Sequence, residues 1–361
     1  MQEPGLHLPD QALAKEAIAL LMQLINTPSL SKEEDKTAQI IVDFLTSKGI
    51  SCQRKLNNVW ASNKYFDPQK PTILLNSHHD TVKPNSGYTK NPFEAHIEDG
   101  KLFGLGSNDA GGCLVSLLST FVHYYNQPDL KYNIIIAATA EEEISGTNGI
   151  EMLLPFLGNI NFAIVGEPTQ MHLAVAEKGL LVIDCVAKGK AGHAAREEGD
   201  NAIYKALNDI QWFKQYEFPK VSEHLGKVKM SVTIIHAGSQ HNVVPDTCSF
   251  TVDIRITDAY THDEVLEIIR KNVSCEVTPR SMRLKSSSIP SSHPIVLAGK
   301  KLGRNTYGSP TSSDQALMNV PSLKIGPGDS ARSHTANEFI FVKEIEEGIE
   351  LYVKLLNEII L

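Results

Sequence analysis

Short apolar runs alternate with amphipathic helical patterns in the first half of the chain, and this alternation limits the possible folds more than any other feature. Runs typical of buried strands lie at Thr72–Leu75, Asn133–Ala137 and Phe162–Val165, with helical patterns near 111–125 and 147–157. Strands joined by helices form parallel sheets, and the helices then cover both faces of the sheet. The sequence therefore predicts an α/β domain with a mainly parallel sheet and helices on both faces.

The first 50 residues show two further amphipathic helical patterns. Ser31 and Glu34 have the spacing of a capping box, and this spacing predicts that they close the start of the second helix. A last helical pattern carries an apolar stripe from Ile345 to Ile359.

The pattern changes near Glu177. Longer segments with alternating apolar and polar residues follow at Leu180–Val186, Val228–His236 and Cys248–Ile256. Such alternation is typical of an antiparallel sheet with one exposed face, so we expect a separate α+β unit here. A Ser- and Pro-rich stretch at Ser286–Pro294 then leads the chain back to the first domain. The predicted domains are 1–176 with 287–361, and an inserted domain at 177–286.

The composition excludes several classes of partner. The 361 residues carry 34 Lys and Arg against 42 Asp and Glu, a net charge of −8 without a basic run, so nucleic acid is not an expected partner. No apolar run approaches the roughly 20 residues that span a membrane. Met1–Pro4 lacks the pattern of a secretion signal, so we expect a cytoplasmic protein. The five cysteines lack the CxxC spacing of a metal site, their odd number argues against a disulfide framework, and we expect them to be small hydrophobic residues of the core.

Three of the predicted strands are each followed at once by side chains that can bind a metal ion. His78 and Asp80 follow the first strand, Glu141–Glu143 the second and Glu167 the third. The carboxyl ends of parallel strands meet at one edge of a sheet, so we expect these side chains to lie close together. Asp109 joins them from a Gly-rich turn that leads into a helical pattern.

Carboxylates crowded in this way repel one another unless a cation neutralises them. Histidine nitrogens and carboxylate oxygens without cysteine suit Zn²⁺, and also Co²⁺ or Mn²⁺, so we expect a pair of divalent ions. Each residue alone has an ordinary explanation, because Asp109 could cap a helix and Glu141–Glu143 could be a solvated turn. Their joint pattern favours the metal site.

Six stretches of the chain resemble one known family. The sequence resembles the metal-dependent amidohydrolase and peptidase family that includes acetylornithine deacetylase, succinyl-diaminopimelate desuccinylase, aminoacylase and carboxypeptidase G2. The stretches are, in order, LNSHHDTV, GLGSNDAGG, ATAEEEISG, VGEPT, GKAGHAA and ARSHTANEFI. The resemblance implies a di-zinc α/β catalytic domain with an inserted lid domain that commonly forms a homodimer.

The resemblance also implies roles for individual residues. The implied ligands are His78 and Glu167 for one ion, Glu143 and His334 for the other, and Asp109 as the bridge. Asp80 would hydrogen-bond to the imidazole of His78 and fix its orientation. Glu142 would be the general base that takes a proton from the attacking water and returns it to the departing amine.

Other implied residues concern the substrate. His193, in the inserted domain, would donate to the developing oxyanion, delivered by the lid and often from a partner subunit. Asn242 and Arg255 match positions that hold the substrate carboxylate or the tetrahedral centre, and Gly326 and Gly328 would form the pocket wall. An Arg paired with a local acid, or a His without a catalytic task, remains the alternative for these positions.

Within the family, the C-terminal stretch looks nearest to the acetylornithine deacetylase branch. We therefore expect a zinc-dependent enzyme that hydrolyses the amide bond of N-acetyl- or N-succinyl-ornithine or -citrulline in arginine biosynthesis. The alternatives are a succinyl-diaminopimelate desuccinylase, an N-acetyl-lysine deacetylase and a small dipeptidase or carboxypeptidase. A non-catalytic homologue would be expected to have lost some of the ligands or the base, and the chain retains them all.

Overall fold

The computed structural model of the protein describes residues 11–361. Met1–Pro4, from which we inferred that a secretion signal is absent, lies outside this range. The helices are α1 (Gln11–Ile25), α2 (Asp35–Ser47), α3 (Gly112–Tyr125), α4 (Ile150–Leu157), α5 (Ala202–Gln215), α6 (His262–Asn272), α7 (Pro294–Lys301) and α8 (Val342–Ile360). The strands are β1 (Gln53–Lys55), β2 (Asn58–Ser62), β3 (Thr72–His78), β4 (His96–Glu98), β5 (Lys101–Phe103), β6 (Asn133–Thr139), β7 (Phe162–Val165), β8 (Leu173–Glu177), β9 (Gly179–Lys188), β10 (Gly192–His193), β11 (Lys229–Ala237), β12 (Val243–Val244), β13 (Thr247–Ile256), β14 (Glu276–Pro279), β15 (Ser287–Ser288), β16 (Thr306–Ser309), β17 (Ser322–Lys324) and β18 (Phe339–Phe341).

The chain divides into two compact units. Unit 1 comprises the described residues up to Val175 together with Ser288–Tyr307 and Ser313–Leu361, and unit 2 comprises Ala176–Ser287 with Gly308–Ser312.

The placement of Gly308–Ser312 differs from our expectation, because the sequence analysis had assigned this segment to the catalytic domain. Two hydrogen bonds hold it in unit 2: the Lys178 N–H donates to the Ser309 carbonyl at 3.2 Å, and the Ser312 hydroxyl donates to the Lys178 carbonyl at 2.9 Å.

The main sheet contains the strands that the apolar runs predicted. Its strand order is β1-β2-β6-β3-β7-β17-β8-β15, and β6, β3, β7 and β17 run parallel to one another. Every residue of β3, β6 and β7 is buried, as expected for strands covered on both faces. The predicted α/β class with a mainly parallel sheet is confirmed.

Alternate residues of the central strands pack into different hydrophobic clusters. Ile73 and Leu75 of β3 lie in a cluster with residues of α1, α3 and α8, whereas Leu74 lies in a second cluster with residues of α4. Side chains alternate between the two faces of a strand, so helices cover both faces of the sheet.

Unit 2 is built on an antiparallel sheet with the order β11-β13-β9-β14. The side chains of β9 alternate between buried and half-buried positions, and the buried ones share a cluster with residues of α5 and α6. This confirms the second, antiparallel component that the alternating segments predicted. Strand β11 lies at an edge of this sheet and is largely exposed.

The predicted capping box at Ser31 and Glu34 is wrong. Glu34 is the N-cap of α2, but no side-chain cap hydrogen bond is formed. The Ser31 hydroxyl instead donates to Asp80 Oδ2 at 2.7 Å, and the Glu34 carboxylate accepts from Asn57 Nδ2 at 2.7 Å and from the Glu141 N–H at 3.2 Å. Both side chains support loops at the sheet edge, so tertiary contacts override the local pattern.

Across residues 11–361, none of the helices is both long and apolar enough to cross a membrane.

Candidate metal centre

The site is built around His78, the last residue of β3. Its side chain is 1% exposed, and its Nδ1 lies 3.0 Å from the Asp80 carbonyl oxygen. Its Nε2 has no hydrogen-bond partner among the described residues, and it lies 3.4 Å from Asp109 Oδ1 and 3.7 Å from Glu167 Oε1. A buried nitrogen that lacks a hydrogen-bond partner and faces carboxylates has the environment of a metal ligand.

Loops at the ends of neighbouring strands bring the carboxylates to His78. Only Gly166 separates Glu167 from the end of β7. A side chain at position 166 would be too close to Leu117, because a Cβ there would lie 2.8 Å from the Leu117 side chain. Asp109 follows Gly106, whose φ of 75° turns the chain toward α3.

Glu143 and His334 are the remaining candidate ligands and lie next to each other. Glu143 lies in a short 3₁₀ turn that begins after Glu141, and its Oε2 lies 3.0 Å from His334 Nε2. The same His334 nitrogen lies 3.6 Å from Asp109 Oδ2, although the His334 side chain is 56% exposed. His334 comes from the C-terminal part of the chain, so residues from the first and the last of the three segments of unit 1 meet here.

The described residues form two groups with the spacing of metal ligands. His78, Asp109 and Glu167 form one group, and Asp109, Glu143 and His334 form the other. In each group the candidate ligand atoms all lie within 4.8 Å of one another. Asp109 belongs to both groups and contributes a different oxygen to each histidine, as a carboxylate between two ions would.

The protonation of these groups shows how crowded their charges are. Burial raises the pKa of Glu142 well above its ordinary value and that of Glu167 to about 8. Burial opposes charge on His78, but the Asp109 and Asp80 carboxylates outweigh it and raise the His78 pKa well above its usual range. The Glu143 carboxylate likewise raises the pKa of His334 to about 9. Protons therefore balance the negative charge in the metal-free chain, and divalent cations would displace them.

Asp80 holds both the imidazole and the glutamate loop. Its carboxylate is fully buried, and its Oδ1 lies 3.3 Å from His78 Nδ1. The same carboxylate accepts the Glu142 N–H at 3.0 Å and the Glu143 N–H at 3.2 Å. These contacts couple the orientation of the His78 ring to the position of the loop that carries Glu142 and Glu143.

Glu338 and Asp314 are two further buried carboxylates, and the sequence analysis gave neither a role at the metal centre. Glu338 is 2% exposed and accepts backbone N–H groups of the loop that carries Asp109. Asp314 is 3% exposed and accepts from Asn76 Nδ2 and Thr139 Oγ1, both at 2.7 Å. Burial raises the pKa of Asp314 to about 6 and that of Glu338 to about 8. The sequence offers one hint for Glu338: it lies with His334 in the ARSHTANEFI stretch.

His193 and Asn242 lie side by side in unit 2. His193 is exposed on β10 and pairs with Val243 of β12, and the Ala194 N–H donates to the Asn242 carbonyl at 2.9 Å. The Ala195 N–H donates to His193 Nδ1 at 3.1 Å. This bond assigns the proton of the neutral ring to Nε2, so the outer nitrogen of His193 is a hydrogen-bond donor.

Arg255 makes the local ion pair that was its alternative explanation. Its Nε and Nη2 donate to the two oxygens of Asp253 at 2.8 and 3.0 Å. Lys229 lies opposite Arg255 on the neighbouring strand. The pKa of Lys178 is lowered, chiefly by its burial and then by the positive charges of Lys229 and Arg255. Lys178 and Lys229 were missed by sequence reasoning, because no local motif links them to Arg255.

Gly326 and Gly328 have a structural reason to be glycine. A Cβ on Gly326 would lie 2.5 Å from Cys113 Sγ and 2.6 Å from the Glu167 carbonyl oxygen. Gly328 has a φ of 92°, and a Cβ there would lie 2.5 Å from Asn108 Oδ1. Both positions pack directly against loops of the candidate metal centre, and their contact with substrate stays a prediction.

The chain belongs to Peptidase family M20/M25/M40, whose family model matches residues 74–358. The predicted family of metal-dependent peptidases and amidohydrolases is therefore confirmed, whereas the acetylornithine deacetylase branch stays a prediction.

Individual relatives cover nearly the whole chain at low identity. The chain is 24% identical to succinyl-diaminopimelate desuccinylase 2 of Ruegeria sp. (strain TM1040) over 390 aligned positions. The alignment covers 98% of this chain and 97% of that relative. Among solved structures, the aminopeptidase PepT of Bacillus cereus ATCC 10987 has a TM-score of 0.77 at 18% identity, over 96% of this chain and 98% of its own. The dinuclear metal-binding peptidase YXEP of Bacillus subtilis has a TM-score of 0.74 at 18% identity, with the same coverage of 96% and 98%. At these identities the two structures establish the fold alone.

Proposed function

We propose that this chain is a metal-dependent hydrolase that cleaves the amide bond of a small N-acyl-amino acid. The observation that carries the proposal is the buried Nε2 of His78, which lacks a hydrogen-bond partner among the described residues and faces Asp109, a carboxylate shared by two ligand groups. The nitrogen and oxygen donors suit Zn²⁺, with Co²⁺ or Mn²⁺ as alternatives.

The residues fit two ions. His78 and Glu167 would hold one ion, Glu143 and His334 the other, and Asp109 would contact both. Bound divalent ions supply an acidified water and polarise the amide carbonyl.

Glu142 is suited to move the proton in this reaction. It belongs to neither ligand group, yet its Oε2 lies 3.8 Å from His78 Nε2, so it stands beside the candidate ligands without being one of them. Burial raises its pKa well above the ordinary value, so its carboxylate is a stronger base than a solvated one. We assign it the proton from the attacking water. It returns this proton to the amide nitrogen as the C–N bond breaks, which releases a carboxylate and a free amine.

His193 is proposed as the donor to the developing oxyanion. The Ala195 N–H occupies its Nδ1 and leaves Nε2–H to donate. Unit 2 of the same chain or of a partner copy would deliver it. A homodimer through unit 2 is supported by the edge strand β11, where Ile234 and Ile235 are 44% and 50% exposed.

The substrate is proposed to be anionic. Lys178, Lys229 and Arg255 place three positive charges near one another with Asp253 as the counter-ion, and such a cluster attracts a carboxylate. An α-carboxylate or a succinyl group would satisfy it, and the named activity of the Ruegeria relative is a desuccinylation. The proposed substrates are N-acetyl- or N-succinyl-ornithine or -citrulline, in cytoplasmic arginine biosynthesis.

A substrate panel tests the proposal. The purified protein is loaded with Zn²⁺, and kcat/KM is measured on N-acetyl- and N-succinyl-ornithine and -citrulline, N-succinyl-diaminopimelate, N-acetyl-lysine and dipeptides. The expected result is cleavage of N-acyl-ornithine or -citrulline that stops when a chelator removes the metal, with Glu142→Gln as the inactive control. Preference for diaminopimelate, lysine or peptide substrates would move the assignment to that branch. A protein that binds two ions and cleaves none of the panel would contradict the proposal.

A further inference from the structure

Glu338 has an unusual position for a carboxylate so close to a metal-ligand group. It is 2% exposed, and it belongs to neither of the two groups found among the described residues. Its Oε1 accepts the N–H groups of Asn108 and Asp109 at 2.8 and 2.9 Å, and its Oε2 accepts the Gly106 N–H at 3.2 Å. Backbone donors therefore engage both oxygens.

The loop contacted by Glu338 is the one that presents the shared ligand. Gly106 has a φ of 75°, and the chain turns there before Asp109 and α3. The N–H groups of this turn point inward, and a buried carboxylate is a strong acceptor for them. The carbonyl of Glu338 also accepts the Gly104 N–H at 3.0 Å, so one residue fastens the loop at several points.

Glu338 also lies close in the chain to His334, another ligand of the second group. His334 precedes it by four positions, and its Nε2 lies 3.6 Å from Asp109 Oδ2. The segment between them is anchored, because Asn337 Oδ1 accepts the N–H groups of Thr89 and Lys90 at 3.0 and 2.9 Å. At one end of this short segment Glu338 accepts the backbone N–H of Asp109, and at the other end His334 lies near the Asp109 carboxylate.

We propose that Glu338 is a positioning residue that holds Asp109 and His334 at a fixed separation, so that the second ion meets two ligands already in place. This inference rests on the metal site of the proposed function. Residues that orient ligands through hydrogen bonds typically change metal affinity by about 10- to 100-fold when replaced. The effect should be larger for the ion of Asp109, Glu143 and His334, because the segment from His334 to Glu338 supplies one of its ligands and positions another, whereas the other group shares only Asp109 with it.

The test measures zinc affinity rather than turnover. Metal-free protein is titrated with Zn²⁺ against a chromophoric chelator, which resolves the two binding equivalents. Glu338→Ala should weaken one equivalent by about 10- to 100-fold. Glu338→Gln should lose less, because its amide oxygen can still accept from Asn108 and Asp109.

Asp209 provides a matched control in unit 2. It is 5% exposed and accepts the N–H groups of Ser274 and Cys275, both at 3.0 Å, so it makes the same kind of contact away from the ligand groups. Asp209→Ala should lower the unfolding midpoint and leave both zinc affinities unchanged. A matching loss of zinc affinity in Asp209→Ala would overturn the inference, because it would show a general effect of destabilisation.

The remaining outcomes separate the inference from the proposed function. A folded Glu338→Ala protein with two wild-type affinities would overturn the positioning role. If that variant does not fold, Glu338→Gln and Glu338→Asp decide, and wild-type affinities in both would overturn it equally. A wild-type protein that binds fewer than two ions would overturn the proposed function, and this inference with it.

Discussion

Replacing Gly326 by alanine should damage the candidate metal centre through a single methyl group. The new Cβ would lie 2.5 Å from Cys113 Sγ, and 2.6 and 3.1 Å from the carbonyl oxygen and amide nitrogen of Glu167. Ordinary contacts of this kind are about 3.5–4.0 Å, so one side must move by about 1 Å. The Glu167 backbone can move only by shifting its carboxylate. A displacement of about 1 Å at a catalytic site can cost roughly 10²-fold in rate, and overpacking costs about 1–3 kcal/mol of stability.

Three measurements on Gly326→Ala check this reasoning: the free energy of unfolding in urea, the number of zinc ions retained after dialysis, and kcat on the best substrate of the panel. Gly226→Ala is the control, because a Cβ there meets nothing within 4 Å although its φ is +69°. That variant should lose about 1–2 kcal/mol to backbone strain and keep kcat. Wild-type zinc content and turnover in Gly326→Ala would refute the argument, because they would mean that Cys113 alone gives way.

The other predictions concern the catalytic assignments. Glu142→Gln should lower kcat by about 10²- to 10⁴-fold with two zinc ions retained, whereas Glu143→Gln should lose one ion by elemental analysis; exchanged phenotypes would place the base one residue later. Asp109→Ala should lose both ions, since they would then repel each other without the shared carboxylate, and a count of two ions per chain would contradict the bridging role. His193→Ala should lower kcat by about 10²-fold with metal content unchanged, and Ala195→Pro, which removes the N–H that occupies Nδ1, should lower kcat in the same direction. Activity recovered on mixing His193→Ala with Glu142→Gln chains would support a site shared between subunits, and no recovery after verified subunit exchange would argue against it.

The parts of the fold that depend on local pattern could be predicted from the sequence. Buried strands need continuous apolar runs, and β3, β6 and β7 supply them, so the α/β class follows from the sequence. The capping box at Ser31 and Glu34 failed for the opposite reason. Its two side chains have better partners at Asp80, Asn57 and the Glu141 N–H, which are distant in sequence.

The candidate site divides in the same way. His78 ends a strand and Glu143 and Glu167 each follow one, so topology alone predicts that they share one edge. Glu338 and Asp314 follow no such rule, because each is a single acid whose partners lie more than 60 residues away in the chain. Their burial depends on how the C-terminal segment packs against the rest of unit 1, and no spacing of residues records that.

The place of β17 in the main sheet has a consequence for synthesis of the chain. β17 lies between β7 and β8, but its residues follow the whole of unit 2 in the sequence. The roughly 160 residues between β7 and β17 take about 10–30 s to translate at about 5–20 residues per second. During that interval β7 has an open edge that could pair with another nascent chain. Conditions that slow elongation should therefore increase aggregation of this protein more than that of a protein whose neighbouring strands are made in succession.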